Sequence, residues 1–167
     1  MSSAVPFPQE AIRILQSDEE DLRALLPDAS SRDFTRPGIG GGDWSVKDLL
    51  GHITFWYENA LDSLAQWRAS EPYELAARLE SKGVDGVNAA SVLEKGALPA
   101  GEIELGHARA SAEMLRALES IGNAEWETPL GEDTRGSELG SILGGPDGPF
   151  RHIAAHLDDL RASVDSP

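Results

Sequence analysis

Cysteine is absent from the 167-residue sequence, which excludes disulfides, cysteine-ligated zinc sites and a catalytic thiol supplied by the protein. Basic residues are scarce: 14 Lys and Arg stand against 29 Asp and Glu, and the net charge of −15 repels nucleic-acid phosphates and anionic lipid surfaces. Apolar residues form no run of about 18, and the amino-terminal segment lacks the features of a secretory signal. We therefore expect a soluble, cytoplasmic protein that binds neither nucleic acid nor membranes.

Residues that favour β-strands are also few. Ala and Leu together outnumber Val, Ile and Thr by more than two to one, a composition that favours helices. Apolar residues recur at helical spacing in four segments, which are 8–27, 45–69, 101–121 and 149 to about 164. Long connections, 70–100 and 122–148, separate the later segments, and a further short helix is expected at 85–94. The sequence therefore predicts one all-α domain, residues 1–167, folded as a four-helix bundle.

The segment 45–69 has the clearest helical pattern in the chain. Ser45 followed by Asp48 is the S-x-x-D signature of a helix start. His52 lies on the apolar stripe of this helix, so its imidazole is expected to face the core. The apolar positions of the stripe recur every three or four residues: Leu49, Ile53, Trp56, Ala60, Leu64 and Trp67.

Three of the four histidines point to a metal site. His152 and His156 are four residues apart, so both imidazoles lie on one helix face and can reach a single ion. For any one of these residues, a hydrogen-bonded core histidine is the ordinary interpretation. Three uncharged imidazoles clustered in a bundle otherwise lack partners, and burying them unpaired is costly. We therefore predict that His52, His152 and His156 bind a divalent metal, and we interpret the inward-facing His107 as a core or pocket-lining residue rather than a ligand.

Two residues near His52 are candidates for a surrounding shell. Asp48 lies one turn before His52 and can orient its imidazole as a hydrogen-bond acceptor, although helix capping explains Asp48 equally well. Trp56 lies one turn after His52 and is placed to line a pocket. Neither assignment is required by the spacing alone.

Two motifs carry a resemblance to a known family. Residues 44–52, Trp-Ser-Val-Lys-Asp-Leu-Leu-Gly-His, with Trp56 one turn later, resemble the W-S-x-x-D-x-L-x-H start of the second helix in DinB/YfiT-like proteins. The same superfamily contains the N-terminal domain of mycothiol-dependent maleylpyruvate isomerase. Residues 150–157, which contain both later histidines, are similar to the H-x-x-x-H motif of the last helix in that family. Asn88 lies in a segment that resembles one seen in actinobacterial-type members.

The resemblance implies a DinB-like bundle whose helices run up-down-down-up across the two long connections. It implies one divalent metal held by His52, His152 and His156, with Asn88 lining the pocket, and it suggests a homodimer. The chain departs from the isomerase at His152, where that enzyme has a carboxylate, so isomerase activity itself is not expected.

A site of three neutral imidazoles leaves positions on the ion for water or substrate, as catalytic metal sites do. Water bound there becomes the nucleophile of a hydrolase, whereas a bound thiol is held as thiolate. The resemblance favours the second reaction, transfer of a low-molecular-weight thiol such as mycothiol or bacillithiol to an electrophilic small molecule in detoxification or stress response. A metal-binding bundle without enzymatic activity is the remaining alternative. Histidine ligands suit Zn, Ni and Fe alike, so the metal is not identified.

Overall fold

The computed structural model of the chain describes residues 7–39, 42–129 and 151–164. These residues form helices joined by short connections and contain no β-strand, which confirms the all-α prediction. A turn of 3₁₀ helix, Ala154–His156, comes directly before the last α-helix. The α-helices in chain order are α1 Pro8–Leu25, α2 Arg32–Thr35, α3 Val46–Ala69, α4 Glu74–Gly96, α5 Ala100–Ser120, α6 Asn123–Trp126 and α7 Leu157–Val164.

The longest helix, α3, is at the centre of the packing. It contacts α2, α4 and α5, while α1 packs against α5 and α7. No helix in the described ranges is long and apolar enough to cross a membrane. The helices bury a core of large apolar side chains, and burying each of them stabilises the fold by roughly 1.5–3 kcal/mol. The largest fully buried side chains are Tyr57, Phe34, Leu15, Leu22, Leu49, Leu50, Ile53, Met114, Leu118, Ile153 and Leu160.

Helix α4 starts before the helix that the sequence pattern predicted, but the non-helical Gly83 divides it into two helical segments. The short helix expected at 85–94 is part of Glu74–Gly96, which bends at Gly83, where φ is 67° and ψ is 173°. Glycine adopts this left-handed conformation without the steric cost that a Cβ would add. Only Val87 and Ser91 of α4 are buried, so its first half has no apolar stripe for a pattern to reveal.

The last predicted helix begins differently from the expectation. Pro149 and Phe150, where it was expected to start, lie outside the described residues. Residues 151–156 form turns and 3₁₀ helix rather than α-helix, and the N–H of His156 donates to the carbonyl of Ile153 at 2.9 Å. Short 3₁₀ turns are common at the ends of α-helices, and apolar spacing does not distinguish the two over one turn.

Helices α3 and α4 approach closely beside His52. A Cβ on Gly51 would lie 2.9 Å from the Cβ of Lys95, so only glycine allows this contact. The Lys47 ammonium donates to the carbonyl of Gly96 at 2.7 Å, which attaches the end of α4 to the start of α3. The second half of α4 therefore covers the face of α3 that carries His52.

Candidate metal centre

Three histidine side chains meet between α3 and the segment before α7. Nε2 of His152 lies 2.7 Å from Nε2 of His52 and 3.4 Å from Nε2 of His156. One ring nitrogen from each residue lies within 4.8 Å of those from the other two. The structure thus brings together the three histidines selected from the sequence, and the group can hold one metal ion.

The donor set of this group fits a divalent ion. Bonds from zinc to imidazole are about 2.0–2.1 Å long, so nitrogens around one ion lie about 2.8–3.4 Å apart. Two of the three separations, 2.7 and 3.4 Å between Nε2 atoms, are close to this spacing, and all three donor nitrogens lie within 4.8 Å of one another. Within the part of the chain that the structure describes, the group contains no fourth His, Cys, Asp or Glu.

A capping box sets the start of the helix that carries His52. The Asp48 N–H donates to the Ser45 hydroxyl at 3.2 Å, and the Ser45 N–H donates to the Asp48 carboxylate at 2.9 Å. The Ser45 hydroxyl also donates to this carboxylate at 2.7 Å. Of the two roles considered for Asp48, the structure contains the cap, and the carboxylate is engaged away from the imidazole.

Ser91 of α4 is the residue that contacts the second ring nitrogen of His52. Its Oγ lies 2.9 Å from His52 Nδ1, and the two residues are 0% and 2% exposed, respectively. Sequence reasoning did not identify Ser91, which is 39 residues from its partner along the chain. The sequence feature that could have pointed to Ser91 is its position one helical turn after Asn88, which had been selected as a pocket residue.

Aromatic rings and an amide surround the histidines. The ring centroid of Trp44 lies 4.9 Å from that of His52, and the Trp56 centroid lies 5.9 Å from that of His152. The Trp56 indole N–H donates to the side-chain oxygen of Asn88 at 3.2 Å. Trp56 and Asn88, both selected from the sequence, thus lie together beside the group and reduce its contact with water.

The surroundings keep the three imidazoles uncharged at neutral pH. Burial lowers the pKa of His52 to about 3, and the nearby His152 and His156 contribute to the shift. Burial beside His156 lowers the pKa of His152 to about 4. Burial also lowers the pKa of His156, although Asp159 acts in the opposite direction. Neutral imidazole is the form that binds metals, so the ring nitrogens are available at pH 7.

His107 belongs to a different buried cluster. Its Nε2 lies 3.1 Å from the Glu19 carboxylate, its Nδ1 lies 3.2 Å from the Thr54 hydroxyl, and its ring stacks on Tyr57. Thr54 follows His52 by two residues, which is about 200° around a helix. The structure therefore places His107 in the core on another side of α3 from the metal group.

We expect the metal-free protein to lose stability as the pH falls from about 6.5 to about 4. In the unfolded chain histidines titrate near pH 6.5, whereas the folded protein keeps His52 and His152 neutral to about 3 and about 4. The unfolded state binds more protons in this window, so each pH unit costs up to about 1.4 kcal/mol per histidine. Urea unfolding at pH 7 and pH 5 measures the loss.

The His52→Asn variant is the control for this pH dependence. Asparagine retains an N–H donor for Ser91 but does not titrate, so the difference in unfolding free energy between the two pH values should shrink. An unchanged difference would mean that other groups cause the acid sensitivity.

Comparison with protein families gives one match over most of the chain. A family model described as the mycothiol maleylpyruvate isomerase N-terminal domain matches residues 15–161. The matched range includes Ser91 and all three histidines of the metal group. Comparison with curated proteins and with solved structures found no match.

Proposed function

Since the chain belongs to the family of the mycothiol maleylpyruvate isomerase N-terminal domain, within the DinB/YfiT-like superfamily, we propose that it is a metal-dependent thiol S-transferase. Its substrates would be a low-molecular-weight thiol and an electrophilic small molecule, in detoxification or stress response. The observation that carries the proposal is the His52, His152 and His156 group, which offers three neutral imidazoles close enough together to hold one metal ion.

The proposal extends to the architecture around this group. We propose a DinB-like four-helix bundle with up-down-down-up helix directions, and a homodimer as its assembly. The close packing of α3 with α4 and α5, and of α1 with α5, supports such a bundle. Zn, Ni and Fe all remain consistent with imidazole ligands.

The residues around the three histidines favour a thiol as the external ligand. A divalent ion held by the three histidines would favour the thiolate form at neutral pH, which a free thiol with a pKa near 8.5 mostly lacks. Because the chain contains no cysteine, the sulfur nucleophile must come from a second substrate. Trp44 and Trp56 limit access of water to the group, which reduces competition from hydrolysis.

In the proposed reaction the thiol sulfur forms a bond to an electrophilic carbon. With monochlorobimane as the electrophile, the carbon–chlorine bond breaks, chloride leaves, and the thiol proton passes to solvent. No change of oxidation state of the metal is required, so redox-inactive Zn suffices as well as Ni or Fe.

Turnover is expected to require both metal and thiol. Protein loaded with Zn, Ni or Fe is incubated with monochlorobimane, with and without mycothiol, bacillithiol, glutathione or cysteine, and the bimane adduct is measured by fluorescence. The His52→Ala variant, which lacks one of the three imidazoles, should be at least about 100-fold slower because even residues that only orient ligands contribute 10–100-fold.

Two other outcomes would redirect the assignment. Metal-dependent cleavage of ester or amide substrates without any thiol would identify a hydrolase, in which water takes the place of the thiol. Tight metal binding with no turnover of either substrate class would identify a metal-binding bundle without enzymatic activity.

A further inference from the structure

We infer that Ser91 positions His52 for metal binding by holding its imidazole in the tautomer that carries the proton on Nδ1. Ser91 contacts neither the proposed ion nor a substrate, so its role is to orient a ligand. The inference rests on the proposed metal site, and it assigns a residue that neither the motifs nor the family match singles out.

The hydrogen-bond inventory around Ser91 determines the direction of each bond. Its Oγ lies 2.7 Å from the carbonyl oxygen of Asn88 and 2.9 Å from Nδ1 of His52. A serine hydroxyl has one proton, and a carbonyl oxygen only accepts. The Ser91 proton is therefore donated to Asn88, so Oγ must accept from His52. The Nδ1 of His52 consequently carries a hydrogen.

The tautomer of His52 decides whether the nitrogen that faces the metal group has a free lone pair. A neutral imidazole has one protonated and one unprotonated nitrogen. With Nδ1 protonated, the lone pair of His52 is on Nε2, the atom that lies 2.7 Å from Nε2 of His152. Metal-binding histidines usually donate their other N–H to a fixed acceptor, which orients the ring and increases ligand basicity. Ser91 fulfils that requirement here.

The fold holds Ser91 in this position through α4. Ser91 and Val87 are the buried residues of α4, and they lie one turn apart on the face that packs against α3. The missing Cβ of Gly51 allows the two helices to approach. Asn88 has two roles, since its carbonyl accepts from Ser91 and its side chain accepts from Trp56. One turn of α4 therefore organises both the ligand and the aromatic ring beside it.

We expect the Ser91→Ala variant to bind Zn²⁺ about 10–100-fold more weakly than wild type, as measured by competition with a chromophoric chelator. The Ser91→Thr variant retains the hydroxyl and should recover most of the affinity. Ser81→Ala is the matched control, because Ser81 is an exposed serine of the same helix whose hydroxyl also donates to a carbonyl three residues earlier, that of Arg78. Ser81→Ala should bind Zn²⁺ as wild type does.

A second measurement tests the tautomer without any metal. Long-range ¹H–¹⁵N spectra of metal-free protein labelled at histidine should assign the proton of His52 to Nδ1 in wild type, and this preference should be lost in Ser91→Ala. Wild-type Zn²⁺ affinity in Ser91→Ala, or a His52 proton on Nε2 in wild type, would overturn the inference. Failure of wild type to bind any metal would instead refute the proposed function, while the spectra would still test the role of Ser91.

Discussion

The His52→Ala and His156→Ala variants are expected to lose most of their bound divalent metal, with affinity for Zn²⁺ lowered more than about 100-fold. Residues that only orient a ligand contribute 10–100-fold, and removing a ligand itself costs more. The measurement is metal content after purification without a nickel column, followed by chelator competition on the folded fraction. Circular dichroism and gel filtration identify that fraction.

The fourth histidine provides the control for this experiment. His107 lies in the cluster with Glu19 and Thr54, so its replacement should leave the metal affinity near the wild-type value. Because a lone charge at position 19 would destabilise the protein, the control is the double variant Glu19→Gln/His107→Gln, in which both side chains are neutral. Loss of metal in this double variant equal to that of His52→Ala would show that the ligand set is wrongly assigned.

Glu19→Ala is expected to lower the free energy of unfolding by about 3–5 kcal/mol, the largest effect on stability that we predict. The carboxylate of Glu19 and Nε2 of His107 are 3.1 Å apart, and their side chains are only 9% and 7% exposed. Removing one partner leaves the other in the core without its hydrogen-bond partner. Urea unfolding of the single variant at pH 7 measures the loss.

The hydrogen bonds around His107 determine which of its ring nitrogens donates to Thr54. The Thr54 hydroxyl donates its one proton to the carbonyl of Leu50 at 2.7 Å, so it must accept from Nδ1 of His107. Burial by itself raises the pKa of Glu19, but the hydrogen bond and the charge of His107 lower it, and the net shift is downward. The surroundings of Glu19 therefore favour its carboxylate form, which lies beside Nε2 of His107.

The Glu19 pair also has a defined pH dependence. A carboxyl group whose pKa is lowered by folding stabilises the protein above its ordinary pKa, and this contribution is lost as the pH falls through the lowered value.

Arg36→Ala is the matched control for the loss of unfolding free energy in Glu19→Ala. The Arg36–Asp33 pair is exposed, and such pairs contribute at most about 1 kcal/mol. Equal losses for Glu19→Ala and Arg36→Ala would contradict a stabilising role for the buried contact between Glu19 and His107.

Features that depend on neighbouring residues within one helix could be predicted from the sequence. The capping box of Ser45 and Asp48 is a four-residue pattern, and the structure contains it. The inward direction of His52 followed from the periodicity of α3. The four-residue spacing of His152 and His156 correctly predicted that they lie together, although they precede the α-helix, in turns and 3₁₀ helix. Both signals are local, because the geometry of a helix fixes which side chains lie on one face.

Contacts between helices were decided by the tertiary structure alone. The pairing of His52 with Ser91 spans 39 residues and that of Glu19 with His107 spans 88, and both depend on how the helices pack. Periodicity identifies the buried face of a helix but not the partner that covers it, which is determined by side-chain shape and by close approaches such as that at Gly51. The sequence by itself therefore predicted three of the long helices, α1, α3 and α5, and selected the three histidines, whereas packing decided which residues orient those histidines.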